Sequence, residues 1–524
     1  MTHPPAARFA ALGALLALLA AACNSGGDHG RASGGLENVP KGCEAVDIAV
    51  SPEKVTLLTD LARSFNNSDA AKKGGCAVVR VQRKSSGVGM QLLADGWPNV
   101  DVNGPRPVVW SPASSAWGAI LNQKRRDKNQ PDLAPPSKAF MRTPLVIAMP
   151  KPMAQALGWP GTPIGYADIL ALAQNPSGWG AKGHPEWGPF KLGKTNPNFS
   201  TSALSATIAQ YYAATQKTTG LSLEDLGQPQ VDAFARGVES SVVHYGDITL
   251  TFLNNLYRSD QRGASLTYVS AVAVEEKSVI DYNQGNPDGI LDPGEQPRKP
   301  RVPLVAVYPK EGTLFSDNPF IVLDAPWVSA RQKQAARAFE AFVTRPENQR
   351  QVVKFGFRPG NPQVQVGAPI DAASGVDPNQ PQNVLDVPEP PVLVRILELW
   401  AQQRKAARVL ARLEQSVASY RKAVEVALQE VADAAAGVRK LRVALQARTD
   451  QVTASTRAAK LALDRYQGGV SSYFEVLDAQ RQAFNAQLDL AHTERDELTS
   501  LVLLYRALGG GWQLEEEPPP PPAK

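Results

Sequence analysis

Residues 193–206 read GKTNPNFSTSALSA. A polar loop containing Pro197 runs into Ser200, Thr201 and Ser202, and an apolar-periodic segment follows through Leu204, Ile208, Tyr211 and Tyr212. Hydroxyl side chains directly before such periodicity predict an N-capped helix. Unpaired N–H groups of the first turn and the positive end of the helix dipole then face the loop, which suits a carboxylate or another oxyanion. An ordinary capped helix carries the same signature, so the stretch marks a helix start first and a ligand site second.

The stretch overlaps Gly188–Thr195, GPFKLGKT, which fits the phosphate-loop spacing G-x-x-x-x-G-K-T. In a working phosphate loop the Lys and Thr open a helix, whereas here Pro197 pushes Asn196 out of the helical region. The match is rejected on that ground, and the export signal at the N-terminus also argues against a site for cytosolic ATP.

The 524 residues, with 43% hydrophobic content, suffice for two to four domains with real cores. A net charge of +5 is mild at this length, and no basic run interleaved with aromatics argues for nucleic acid. Residues 1–22 combine Arg8, a short apolar run from Phe9 to Leu19 and small residues before Cys23. They read as a signal peptide rather than an anchor helix. Leu19-Ala20-Ala21-Ala22-Cys23 resembles a loose bacterial lipoprotein signal, which implies lipidation of Cys23, a membrane link through the lipid and, with Asn24 following, permitted delivery to the outer membrane. A tether follows over 23–42. Cys43 and Cys76 each precede an apolar strand-like run, and in an oxidising compartment they read as a disulfide.

From Val46 to Ser115 strand, turn and helix signals alternate, which predicts an α/β sheet whose ligands collect where strands end and helices begin. Ser51, Ser86, Ser111 and Ser114 sit at such ends. VVWSPASSAW from Val108, TPLVIAMPKPMAQALGW from Thr143, GKTNPNFSTSALSA, and the run from Glu311 to Pro362 together resemble a bacterial extracellular solute-binding protein of the type 2 periplasmic-binding fold. The resemblance implies an α/β two-lobed domain over 43–365, with lobe 1 about 43–142 and 302–365, lobe 2 about 143–301, and a small-molecule or anionic solute held between them. The chain is expected to cross near Thr143–Met149 and return near Val302–Tyr308. Carried over by position, Ser51, Ser86, Ser111, Ser114, Ser200, Thr201, Ser202, Tyr245 and Glu275 are the expected ligand-binding residues. His244, in an apolar setting, reads as structural.

Gln284–Glu295, QGNPDGILDPGE, approaches a calcium loop, with Asn286, Asp288, Asp292 and Glu295 at ligand places. Gln284 stands where a carboxylate is expected, and Pro297 and Pro300 deny the exit helix, so a solvated turn is the preferred reading. No cofactor is expected.

Residues 366–391 read as a linker and 392–410 as an amphipathic helix. The Asp-x-Ser-x-Ser motif of the von Willebrand A domain that often follows such binding proteins is missing from the chain. Instead Leu413, Val417, Tyr420, Val424, Ala427, Val431, Ala434, Val438, Leu441, Leu445, Arg448, Val452, Ser455, Ala459, Ala462 and Tyr466 keep an unbroken four-three spacing, a coiled-coil seam about 80 Å long. Gly468-Gly469 breaks it, and a second seam follows at Leu477, Arg481, Phe484, Leu488, Ala491, Arg495, Leu498, Val502 and Tyr505. Two seams around one turn predict an antiparallel coiled-coil hairpin over 411–508, with a disordered tail at 509–524. The hairpin resembles the last two helices of TolC-like outer-membrane efflux channels. That likeness makes Gly468 and Gly469 the periplasmic tip, places Glu475 and Asp478 at the family's acidic gate positions, and implies an efflux adaptor or channel, or self-association, as partner. The family's four β-strands and second helical repeat are missing, so the chain cannot form that barrel alone.

No Ser/His/Asp, Cys/His, H-E-x-x-H or G-x-S-x-G arrangement is evident, and the chain holds five His, so it does not read as an enzyme. Three readings stay open: an exported lipoprotein binding a solute, with the hairpin for oligomerisation or docking; an efflux component; and a gene fusion with a non-functional tail.

Overall fold

The computed structural model describes residues 38–72, 76–289 and 296–510, with backbone alone for 405–414. The signal peptide, Cys23, most of the tether, Asp292, Glu295 and the tail beyond Gly510 lie outside the described residues. The chain divides into two compact units at Lys405/Ala406.

In the first unit the strands are β1 (Glu44–Val50), β2 (Ala77–Arg83), β3 (Val109–Ser111), β4 (Met141–Pro150), β5 (Leu192–Thr195), β6 (Val242–Gly246), β7 (Ala271–Glu275), β8 (Leu304–Val307), β9 (Phe315–Ser316), β10 (Ile321–Val322) and β11 (Arg358–Pro359). They form two sheets, one in the order β10-β3-β1-β2 and one in the order β11-β4-β7-β5-β6, with β8 and β9 also paired to β4. In the first sheet β1 runs parallel to both β2 and β3. Such strands are covered on both faces and read as continuous apolar runs; Val46, Ile48, Ala49 and Val50 are accordingly fully buried. The helix Val55–Asn66 and the helix Ala330–Val343 close one face, where Phe65 meets Phe339 and Phe342 edge-on at centroid distances of 5.2 and 5.5 Å.

Cys43 and Cys76 form a disulfide with a Cα–Cα distance of 4.4 Å, one residue ahead of the parallel register Glu44↔Ala77. The bridge closes a loop with a sequence separation of 33. Replacing both cysteines with Ser is expected to cost about 3–4 kcal/mol of first-lobe stability by releasing that loop in the unfolded chain. Denaturant unfolding of oxidised and reduced protein measures it, and coincident midpoints would refute the staple.

The outward crossing falls on β4, as the apolar run at Thr143–Met149 predicts. The return does not fall at Val302–Tyr308: β8 pairs antiparallel with β4 inside the second sheet, and the chain re-enters the first sheet only between β9 and β10. An apolar strand flanked by prolines is common to both situations, and only the pairing partner separates them. Residues 366–391 are not a free linker. Ile370, Val376 and Leu385 are buried, Ala306 N–H donates to Gly375 C=O at 2.8 Å, and Leu385 N–H donates to Thr313 C=O at 2.8 Å. The expected helix 392–410 is the opening of a longer one, Pro390–Gln467, whose Leu393 and Ile396 are buried in the largest apolar cluster of the first unit.

The second unit is an antiparallel helix pair, the arm ending at Gln467 and the helix Tyr473–Ala507. Gly469 turns the chain at φ +75°, a conformation glycine adopts without a Cβ penalty. On the first arm the expected seam faces inward from Val431 to Ala462, with Val438 buried. On the second arm the expected seam is contradicted: Phe484 is 64% exposed, Leu498 62% and Val502 66%. The inward positions are Val476, Ala479, Ala483, Ala486, Leu490, Thr493, Glu497, Ser500, Leu504 and Ala507, an equally regular seam of mostly smaller residues. Small side chains let the helices approach closely: a Cβ at Gly437 would stand 2.7 Å from Ser500 Oγ. Arg442–Glu497 and Arg448–Asp489 ion pairs flank the contact at 3.3 and 3.2 Å. Residues 415–430 are exposed throughout, since the second arm is too short to cover them.

Candidate functional site

Four helices of nine residues or more begin around one cavity: Ser86–Ala94, Thr201–Thr215, Thr249–Gln261 and Glu276–Gln284. None donates a first-turn N–H to its own N-cap side chain. The Ser200 hydroxyl, expected to cap its helix, is instead engaged with Thr195 Oγ1 at 2.8 Å and Ser202 Oγ at 3.0 Å. First-turn N–H groups and helix dipoles therefore converge on the cavity, partly spoken for by Thr143, whose Oγ1 accepts from Lys277 N–H at 3.1 Å. Hydroxyls of Ser51, Ser85, Ser86, Ser200, Thr201 and Ser278 ring it, with the carboxyls of Glu53 and Glu275.

The two lobes meet across this cavity. Gly87 N–H donates to Phe199 C=O at 3.2 Å. Trp117 Nε1–H donates to Thr201 Oγ1 at 2.8 Å, and Thr201 Oγ1 in turn donates to Ser86 Oγ at 3.2 Å. The space between the lobes is about 30 Å³, room for a solute of a few heavy atoms and too small for an oligosaccharide without further opening.

Burial pushes the Glu275 carboxyl up to about 8, with the Glu53 charge adding to it, against pulls from backbone N–H, Ser316 and Lys54. Burial thus favours the neutral form of Glu275, which can donate a hydrogen bond. Lys54, fully buried, is brought down to about 8 by desolvation, opposed by Glu53, Asp317 and Glu275. Its ammonium donates to Pro112 C=O at 2.8 Å and Asn318 Oδ1 at 2.7 Å, turned away from the cavity, and lies 4.0 Å from Glu53 Oε1. Glu53 also accepts from the Ser51 hydroxyl.

Of the residues expected here, Ser51, Ser86, Ser200, Thr201 and Glu275 line the cavity, and four do not. Ser111 Oγ donates to Pro319 C=O at 2.8 Å, and Ser114 Oγ accepts from Ala116 N–H at 3.2 Å, so both serve the local backbone. Ser202 lies one layer behind, bonded to Thr249 Oγ1 at 2.6 Å. Tyr245 belongs to another cluster: its hydroxyl donates to Glu239, which also holds the buried Lys194 ammonium and accepts from Trp400 Nε1–H at 3.1 Å. Arg404 stacks 3.9 Å from the Tyr245 ring centroid, so this cluster ties the root of the long helix to β5 and β6. Desolvation lowers the Lys194 pKa, with Glu239 opposing. The Lys of the phosphate-loop look-alike is therefore a buried strand residue, as its rejection requires. His244 stacks on Tyr268 at 4.5 Å. Glu53, Ser85, Thr249 and Ser278 were missed; Ser85 and Thr249 stand at helix starts, the signal used elsewhere. At the hairpin tip Glu475 is exposed, and Asp478 is paired with Arg481 at 2.6 Å, which holds its carboxyl below the usual range.

Two α/β lobes closing over a ring of helix starts define a two-lobed binding protein. The chain belongs to the bacterial extracellular solute-binding protein family, whose model matches residues 46–358. Residues 397–510 match the outer membrane efflux protein family. In that segment the chain is 42% identical over 85 residues to the solvent efflux pump outer membrane protein SrpC of Pseudomonas putida, covering 16% of this chain and 18% of that protein. It is 39% identical over 102 residues to the outer membrane protein OprJ of Pseudomonas aeruginosa, covering 20% and 21%. The chain thus spans about a fifth of the length of these efflux proteins. Among solved structures it is similar to a periplasmic thiamin binding protein, with 10% identity and a TM-score of 0.44 over 70% of this chain and 99% of that one. Both matched families are binding and transport proteins, and an envelope location is consistent with them.

Proposed function

We propose that the chain is an exported lipoprotein, anchored in the cell envelope through Cys23, that binds a small anionic solute between its lobes and catalyses no reaction. The observation that carries the solute class is the convergence on one small cavity of four helix starts, none bonded to its own N-cap side chain, and a ring of hydroxyls. Glu275 supports it, because a carboxyl held protonated donates a hydrogen bond to an anion and does not repel it. Its folded pKa is raised, so the binding-competent form is present below about 8 and is lost as pH rises through that value. Anion affinity should therefore be flat from pH 6 to 7 and fall above pH 8 by up to about tenfold per unit. Glu275→Gln should remove this fall. A fall that persists in Glu275→Gln would assign it to Lys54 losing its charge, and no pH dependence in the wild type would refute the neutral-donor role.

A second reading concerns the hairpin. Its outward seam and the uncovered stretch at 415–430 favour a helix-docking element, with a second copy of the chain as partner, over a tail without a role. An efflux adaptor or channel is the rival partner.

A further inference from the structure

We propose a calcium site at the C-terminal end of the helix Glu276–Gln284 and the turn after it, with Asp281, Asn286 and Asp288 as oxygen ligands. The sequence pattern failed at its first place, where Gln284 replaces a carboxylate. The structure supplies a carboxylate one helical turn earlier. Asp281 is 5% exposed; Lys277 occupies its Oδ1, and its Oδ2 is buried without a hydrogen-bond partner. That oxygen points at the turn, since a Cβ on Gly289 would stand 3.4 Å from it. Asn286 Oδ1 is likewise buried and unpartnered, and Asn286 N–H donates to the Asp281 carbonyl at 2.9 Å, which brings the two residues together. Asp288 is near enough for its charge to act on Asp281, and Asn254 Nδ2 donates to Asp288 Oδ2 at 3.0 Å, orienting it.

Buried oxygens left unpaired cost free energy, and a cation repays that cost for several at once. An all-oxygen set of two carboxyls and an amide, without His or Cys, selects a hard cation. Calcium tolerates the irregular geometry of a turn better than magnesium does. Among the described residues no three His, Cys, Asp or Glu side chains are gathered. The site is therefore expected at the weak, extracellular end of the range, with a Kd on the order of 10⁻⁴ M. The same helix begins at the solute cavity with Glu275 and Ser278. Calcium here would pin its far end.

The test is thermal unfolding of the full mature chain in 10 mM CaCl₂, in 10 mM MgCl₂ and in EGTA. Calcium should raise the unfolding midpoint of the second lobe by about 5–10 °C, magnesium much less. Asn286→Ala and Asp288→Asn, which leave the Lys277–Asp281 pair intact, should each lose most of the calcium response, and Asp281→Asn all of it. Identical wild-type melting in calcium and EGTA would overturn the proposal, as would variants that respond as the wild type does.

Discussion

Gly87→Ala is expected to weaken solute binding at least about 100-fold, ~2.7 kcal/mol, while leaving each lobe folded. At residue 87 the backbone of one lobe lies against that of the other, and a Cβ would stand 1.9 Å from Asn198 O and 2.6 Å from Phe199 Cα. Neither contact is with a flexible side chain, so the lobes cannot yield locally and must stay apart. Phe199 leads directly into the Ser200–Thr201 helix start, and Ser86 precedes Gly87. Propping this one point therefore withdraws hydroxyls of both lobes from the cavity together. The Thr201 relay between Trp117 and Ser86 opens with it. Scattering should report a larger radius of gyration for Gly87→Ala in the presence of solute, and calorimetry the lost affinity. Wild-type affinity in Gly87→Ala would mean that binding needs no closure at this contact.

The second large effect concerns the hairpin. Leu477, Phe484, Leu488, Leu498, Val502 and Tyr505 form a four-three seam with Arg481, Ala491 and Arg495, and each of the six is between 46% and 66% exposed. Covering their remaining surface is worth about 5–10 kcal/mol before ordering costs, and the stripe at Val417, Tyr420 and Val424 adds to it. Together these faces approach the ~800 Å² per partner of a stable interface. The full chain should sediment as an oligomer, and Phe484→Asp with Val502→Asp should make it monomeric without loss of helicity, because neither residue faces the other arm. Val417→Asp with Val424→Asp should weaken association as well and fray the first arm. A wild-type chain that is monomeric at tens of micromolar would leave an efflux adaptor or channel as the remaining partner, and retention of the oligomer by all these variants would remove the hairpin seam from the interface.

The lobes, the cleft and the hairpin were legible because their signals are local: apolar runs ended by hydroxyls, a four-three repeat, a Gly-Gly turn. The errors fall where a distant segment decides. Ser111 and Ser200 look alike in sequence, each a hydroxyl at a strand end or helix start, yet Ser111 turns inward because Pro319, far along the chain, offers it an acceptor. Tyr245 was drawn from the cleft by Glu239 and by Trp400 and Arg404, whose packing against β6 no local pattern records. The return crossing was misplaced because β8 and a true crossing strand share the same composition. In the second arm of the hairpin two regular seams coexist. The larger side chains drew the reading, whereas the alanines permit the closer helix approach.

The most direct test of the central claim is calorimetric titration of ligand-stripped protein at pH 7 with a panel of phosphate, sulfate, molybdate, small carboxylates and neutral sugars, repeated on Ser200→Ala and Thr201→Ala. At least one small anion should bind, and each hydroxyl deletion should weaken it roughly 5- to 100-fold, about 1–3 kcal/mol, while the unliganded variants keep the circular dichroism of the folded protein. Binding confined to neutral sugars, with Ser200→Ala and Thr201→Ala indistinguishable from the wild type, would contradict it.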